Sequence, residues 1–219
     1  MSFLLPSYFT AVLAEPGYTP GCRPSLAASK RMGGPAWFQR FWEPCAQCGN
    51  KQRIGSLGDG GKWVCMDKLP TQRGCVLSIG SSNDFSFESA ALTELNVSCI
   101  HVYDHTSDPP PRPIPGLTFY KEAAAMQRVS SMRTRLSEPV SIVKIDCEGC
   151  ETSMLPILIE AFPRAQFLIE LHWEMYSAPQ RTVLRLWKLF ERHGFSTFSK
   201  EPNIEFSDGS CVELSLMHL

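Results

Sequence analysis

The sequence predicts an α/β protein: a largely parallel sheet, helices on both faces and a closing hairpin. Two observations carry this expectation. From residue 75 onward, short apolar runs alternate with helix-compatible segments, the pattern of strands joined by crossover helices. Those runs end on small or polar residues, at Gly80, Asp104, Asp146 and His172, as strands do where a parallel sheet opens a crevice. At 219 residues, with 43% hydrophobic and 20% charged side chains, the chain can bury one good core. The expected division is an N-terminal arm or targeting segment over residues 1–44 and one domain over residues 45–219.

Residues 1–34 are rich in Pro, Gly and Ser and keep no sustained period, which reads as an irregular extension. Within them FLLPSYFTAVLA (residues 3–14) is an apolar run ending in small residues that a signal peptidase accepts, although no Lys or Arg precedes it and Pro6 interrupts it. It is too short for a membrane span, which needs about 20 apolar residues, so the expected location is cytoplasmic or in the secretory pathway. Residues 36–42 suit a short helix that lays Trp37, Phe38 and Phe41 on a neighbour. Cys45-Ala46-Gln47-Cys48 has the spacing of half a zinc site, with Cys65 and Cys75 available to complete it. The lack of a second close pair favours free thiols or a disulfide. Residues 53–65 read as a hairpin around a glycine-rich turn at Asp59, and equally as a loop lying over a ligand.

Residues 75–79 form the first buried strand. Gly80, Ser81, Ser82 and Asn83 make a tight loop, and Asp84 opens a helix over residues 85–95. The second strand, 99–104, ends on Asp104; a Pro-rich turn leads to the third, 117–120; residues 122–136 read as a helix or irregular crossover. The fourth strand is 141–146. Ser153 is expected to cap a helix running to Phe162 with Pro156 near its third position, where a missing N–H costs nothing. The fifth strand is 167–172. A capping box at Ser177 and Gln180 then starts a helix with Val183, Leu186, Trp187 and Phe190 on one face, stopped by Gly194. Strands 195–198 and 211–217 close the sheet around a turn at Asp208-Gly209.

The strand ends converge on one crevice: Gly80 to Asp84, Asp104, Lys144 to Glu148, and Glu170 to His172. The loop after the first strand presents free N–H groups and a helix N-terminus, which suit an anionic or polar ligand. Asp104 lies about 20 residues after that loop, where an acid commonly takes ribose hydroxyls. Lys144-Ile145-Asp146-Cys147-Glu148-Gly149-Cys150-Glu151 is the densest polar cluster, costly at a buried strand end unless paired or functional. Its Cys147-Glu148-Gly149-Cys150 also has the spacing of a thiol–disulfide redox centre. The formal charge of -1 contains no strong block of either sign, so no nucleic-acid backbone or membrane surface is expected as a partner.

The Lys144 to Glu151 run resembles the K-I-D-x-E-G-x-E signature of FkbM-type S-adenosylmethionine-dependent methyltransferases. Residues 53–63 and 74–88 are similar to a related methyltransferase-like domain of many eukaryotic proteins; together the likeness spans about residues 45–217. It implies a Rossmann-like class I methyltransferase sheet of seven strands, the last antiparallel, and S-adenosyl-L-methionine as cofactor. On that likeness the cofactor lies on Gly80, Ser81, Asn83, Asp84, Phe85, Asp104 and Asp146, with its methionine part near Gly80 to Asp84, its ribose on Asp104, and Asp146 and Glu148 beside the methyl group. The Gly80-Ser81-Ser82-Asn83 loop departs from the commoner G-x-G by lacking the second glycine. Asp146, Glu148 or His172 would serve as base toward a hydroxyl of a small-molecule or sugar-like (glycan) acceptor, with Lys144 orienting a carboxylate. No metal ligand is assigned, although oxygen-rich strand ends also suit Mg2+. The alternatives are a catalytically silent module using the Trp37 to Trp42 segment as its contact surface, and a CxxC thiol–disulfide oxidoreductase.

Overall fold

A computed structural model describes residues 43–172, 179–203 and 211–219. The signal-like run, the 36–42 aromatic segment, Ser177 of the expected capping box and the Asp208-Gly209 turn lie outside the described residues.

Strands β1 (Lys51–Ile54) and β2 (Lys62–Cys65) pair as an antiparallel hairpin. Then follow β3 (Gly74–Ile79), α1 (Ser86–Glu94), β4 (Val97–Tyr103), β5 (Leu117–Tyr120), α2 (Val129–Arg135), β6 (Val140–Ile145), α3 (Glu151–Ala161), β7 (Gln166–His172), α4 (Pro179–Arg192), β8 (Phe195–Pro202) and β9 (Cys211–His218). The seven strands β3 to β9 form one sheet in the order β5-β4-β3-β6-β7-β9-β8. Only β9 runs against its neighbours, antiparallel to both β7 and β8. The chain moves outward from β3 to β5 and then crosses to β6 on the other side of β3. Crossing in this way opens a crevice at the carboxyl ends of β3 and β6.

Parallel strands covered on both faces must be apolar on both, which is why they read as continuous runs. Leu77 and Ile79 of β3 join Val143 and Ile145 under Leu155 and Leu158 of α3 and Val183, Leu186 and Phe190 of α4. Val76, on the opposite face, packs with Val102, Ile142, Phe87 and Ala91 of α1, and with Ile54 and Val64 of the hairpin. The hairpin is therefore part of the layer that covers the sheet. Its glycine-rich turn is held at the edge where the crevice opens.

Some elements differ from the sequence expectation. α3 starts at Glu151, and Pro156 lies in its interior rather than near its third position. Glu151 Oε1 accepts the Cys147 N–H at 3.0 Å and its Oε2 accepts that of Gly149 at 3.0 Å, so the acid begins the helix ahead of Ser153. Ser153 does not cap; its Oγ donates back to the Cys150 carbonyl at 2.8 Å. Of residues 122–136 only a short 3-10 turn at Met126–Arg128 and α2 are helical. Gly194 stops α4 at φ +73° as expected. Cys48 is bonded to Cys65, which occupies the sulfurs a zinc ion would need. Among the described residues no helix is long and apolar enough to cross a membrane.

Candidate active site

Gly80 ends β3 with φ +83°, and a Cβ added there would fall 1.6 Å from the Asp146 carbonyl oxygen. The ends of β3 and β6 thus touch through a glycine that nothing larger can replace. Ser82 and Asn83 follow at φ +46° and +62°. Ser82 occupies the position of the missing second glycine and takes the left-handed conformation with a side chain, at a cost of about 1–2 kcal/mol.

Asp104 compensates for that cost. Its Oδ2 accepts the Ser81 N–H at 2.8 Å, the Ser81 hydroxyl at 2.9 Å and the Ser82 N–H at 3.3 Å. Its Oδ1 accepts the Thr106 N–H at 2.8 Å, the Thr106 hydroxyl at 2.7 Å and the Ser107 N–H at 3.1 Å. Burial favours the neutral acid, yet these donors hold the carboxyl well below the usual range. A carboxylate offers about four lone-pair sites, so one meeting six donors has none left for a ribose hydroxyl. Asp104 lines the cavity, but its carboxylate is committed to fastening the loop after β3 to the loop after β4. Ser82→Gly is expected to relieve the strained backbone while adding unfolded-state entropy, leaving stability within about 1 kcal/mol of the parent in denaturant melts. A larger loss would show that the hydroxymethyl group itself is needed.

Three other residues of this stretch stand outside the cavity lining. The Asn83 N–H donates to Ser107 Oγ at 3.1 Å, and its Oδ1 accepts the Asp108 N–H at 2.9 Å. Asp84 Oδ1 accepts the Ser86 N–H at 2.7 Å at the start of α1. Phe85 is buried edge-on against Phe119, with ring centres 6.0 Å apart. All three shape the loop from behind.

The cavity, about 300 Å3, is lined by Gly80, Ser81, Asp59, Asp146, Glu148 and Glu170 among others. Behind it lies a cluster the sequence did not announce. Lys62 of β2, 2% exposed, donates to Glu213 Oε1 and to the Asp59 carbonyl at 3.1 Å. Its ammonium also stands 3.8 Å from Asp146 Oδ2 and 4.0 Å from Glu170 Oε2. The Asn203 amide bridges Glu170 Oε1 at 2.6 Å and Asp59 Oδ1 at 2.8 Å. Glu170 and Glu213 are register partners on β7 and β9, an arrangement of like charges that destabilises a sheet unless a cation or a shared proton intervenes.

Here both do. Burial, with Asp146 and Glu213 nearby, pushes Glu170 up to about 10; burial likewise lifts Glu213 to about 7 against the pull of Lys62. Asp146 moves the other way: burial opposes its charge, but the ammonium groups of Lys62 and Lys144 hold it below the ordinary range. At neutral pH the cavity wall therefore carries an ionised Asp146 beside a protonated Glu170, two acids whose surroundings drive their titrations apart. One oxygen from each of Asp59, Asp146, Glu170 and Glu213 lies within 4.8 Å of the others. The Lys62 ammonium supplies positive charge at that point, so a divalent cation there would have to displace it.

Lys144 is not a cavity residue. Its ammonium donates to the Gly80 carbonyl at 2.8 Å and stands 3.6 Å from Glu88 Oε1, itself bonded by Ser78 Oγ at 2.6 Å. It steadies the loop from beneath and pairs with a glutamate of α1. His172 lies behind the wall, with Nε2 3.5 Å from Glu148 Oε2 and 3.7 Å from Glu170 Oε1, and Nδ1 3.6 Å from Glu151 Oε1. Burial disfavours its charge, but Cys211, its register partner on β9, and the carboxylates of Glu151 and Glu170 raise it to about 11. A protonated imidazole has no lone pair with which to accept a proton, which removes His172 as a base. Glu148, at φ +54°, lines the cavity with a carboxylate that is 65% exposed.

The sheet order and the strand-end crevice are those of the class I methyltransferase fold. A family model described as a methyltransferase domain matches residues 20–109 and 114–218, and the chain belongs to that family. No curated protein matches it significantly. Among solved structures, a candidate hemolysin from Lactococcus lactis is similar at 14% identity and TM-score 0.52, over 68% of this chain and 80% of that one. A second candidate hemolysin, from Streptococcus thermophilus, is similar at 12% identity and TM-score 0.51, over 68% of this chain and 61% of that one. Fibrillarin from Aeropyrum pernix, with natively bound S-adenosyl-L-methionine, aligns at 12% identity and TM-score 0.46, over 68% of this chain and 69% of that one.

Proposed function

We propose that this methyltransferase domain uses S-adenosylmethionine to methylate a hydroxyl of a small-molecule or sugar-like acceptor, and that the Lys144 to Glu151 run places it with the FkbM-type enzymes. The observation that carries the proposal is the ionised Asp146 lining the cavity beside the Gly80–Ser81 loop. The residues suit a sulfonium cofactor: Gly80 leaves room for close backbone approach, and the neighbouring carboxylates favour a cation. The bound cofactor would supply an electrophilic methyl group. Asp146 then has two tasks, attracting the positive sulfonium and accepting the acceptor's hydroxyl proton as the new C–O bond forms. Glu213, raised to about 7 and with an oxygen within 4.8 Å of one of Asp146, can take up that proton and let Asp146 recover its charge. Glu148, beside the protonated His172, guards the solvent side.

Calorimetric titration with S-adenosylmethionine, followed by labelled-methyl transfer to a panel of hydroxyl compounds, tests the assignment. Asp146→Asn should lower kcat by about 100-fold or more, as loss of a positioned base does, with cofactor affinity changed far less. Unaltered turnover in that variant would sink the role of Asp146, and absence of binding at millimolar cofactor would sink the catalytic assignment altogether.

A further inference from the structure

We propose that Cys147 and Cys150 form a reversible dithiol–disulfide site whose redox state sets the shape of the loop carrying Asp146 and Glu148. The two are bonded across a separation of three residues, closing a small ring over Glu148 and Gly149. Both residues inside the ring have left-handed backbone, φ +54° and +105°. For Glu148 that conformation is costly, and the ring holds it there. Both cysteines line the cavity and are partly exposed. Among the described residues, the Cys48–Cys65 and Cys75–Cys99 pairs each contain a cysteine with no exposed surface, Cys65 or Cys75. Of these three pairs, Cys147–Cys150 is the one in which both sulfurs belong to partly exposed residues lining the cavity, so a small thiol such as glutathione can approach either.

The surroundings also give the exchange a direction. Cys150 is the N-terminal cap of the eleven-residue α3, where the helix dipole stabilises a thiolate. Cys147 Sγ stands 3.5 Å from Glu151 Oε1, whose charge disfavours a thiolate at that sulfur. Attack thus falls on Cys147, with Cys150 leaving as the better thiolate. The first glutathione thiolate forms a mixed disulfide with Cys147 as the Cys147–Cys150 bond breaks, and Cys150 takes up a proton. A second glutathione attacks the glutathione sulfur, releasing the Cys147 thiol and glutathione disulfide; the protein disulfide is reduced and two glutathiones are oxidised. Opening the ring lets Glu148 leave the left-handed region and its place 3.5 Å from His172. Because the Asp146 carbonyl rests against Gly80, the change reaches the adjoining loop after β3, which lines the same cavity. Only the predicted effect on cofactor affinity rests on the methyltransferase assignment.

The full chain is equilibrated in glutathione buffers of graded ratio, the two thiols are counted by alkylation and mass spectrometry, and amide exchange is followed at residues 80–83 and 147–151. The pair should titrate within the range of those buffers, and exchange in both segments should quicken by about 10-fold on reduction. Cys147→Ser with Cys150→Ser should exchange at the fast rate in every buffer, and S-adenosylmethionine affinity of the wild type should differ several-fold between the two states. A bond that survives about 10 mM reduced glutathione, or one that opens without altering exchange, overturns the proposal. The wild-type comparison stands without the variants. Failure to bind cofactor in either state would count against the methyltransferase assignment, while exchange alone judges the redox site.

Discussion

Gly80→Ala is expected to disrupt the site proposed for the cofactor, lowering S-adenosylmethionine affinity by about 100-fold or more. The added methyl would lie 1.6 Å from the Asp146 carbonyl oxygen, and the residue would keep φ +83° only under strain. Both partners in that clash are backbone, so one strand end must move. A displacement costing about 3 kcal/mol, ordinary for strain of this kind, is a 100-fold loss if it falls on the binding-competent state. The Ser81 and Ser82 amides move with it, because both are tied to Asp104. Gly194→Ala is the control. It shares the positive φ, at +73°, but its nearest atom is the His218 ring at 3.0 Å, a side chain that can yield. That variant should lose about 1–2 kcal/mol of stability with cofactor affinity unchanged. Equal effects of the two substitutions on affinity, measured by titration calorimetry, would refute the special place of Gly80.

The sheet was legible in the sequence because strands buried on both faces cannot hide their apolar runs, and the breaks between them fall at Gly80, Asp104 and Asp146. α3 was misplaced for a local reason: Glu151 reaches back to the Cys147 and Gly149 amides, starting the helix ahead of Ser153 and leaving Pro156 inside it. Gly80, Ser81, Asp104, Asp146 and Glu148 line one cavity. Asn83, Asp84, Phe85, Lys144 and His172 stand behind its walls, because a residue type near a strand end does not specify which way its side chain turns. Lys62, Asp59, Glu213 and Asn203 were missed. Their meeting depends on the hairpin docking on the sheet, which brings Lys62 to Glu213 across 151 residues of sequence. A signal was present nonetheless: Lys62 precedes Trp63-Val64-Cys65, and Glu213 sits between Val212 and Leu214. Opposite charges inside two separate apolar strands are affordable when they find each other.

Lys62→Met tests that pairing. Lys62 is buried at 2% exposure among Glu213, Asp146 and Glu170. Removing one partner of a buried ionic group costs about 3–5 kcal/mol, mostly as the penalty on the charges left behind. The loss should depend on pH, with a sign set by the carboxyls. Glu213 and Glu170 have folded values raised to about 7 and about 10, against about 4.3 for an unfolded glutamate. Each therefore contributes most to stability below its unfolded value, and that contribution is lost as pH rises through the folded one. Without Lys62 both rise further. Glu213 is ionised in the parent at pH 8 but held protonated in the variant, so the variant should be most weakened at pH 8 and recover part of the loss at pH 5. Glu170, protonated at both values in both proteins, adds nothing to the difference. The lysine's own pKa is raised, despite burial, by the three carboxylates; in the parent its stabilisation is complete below about pH 10.4 and persists through this whole window. Asp104, held far below the usual range, stays ionised at both pH values and does not contribute to the difference. Denaturant unfolding of parent and variant at pH 5 and pH 8 reads the result. A loss of equal size at the two would mean that Lys62 serves by packing alone and that the carboxylates of the cavity wall do not depend on its charge.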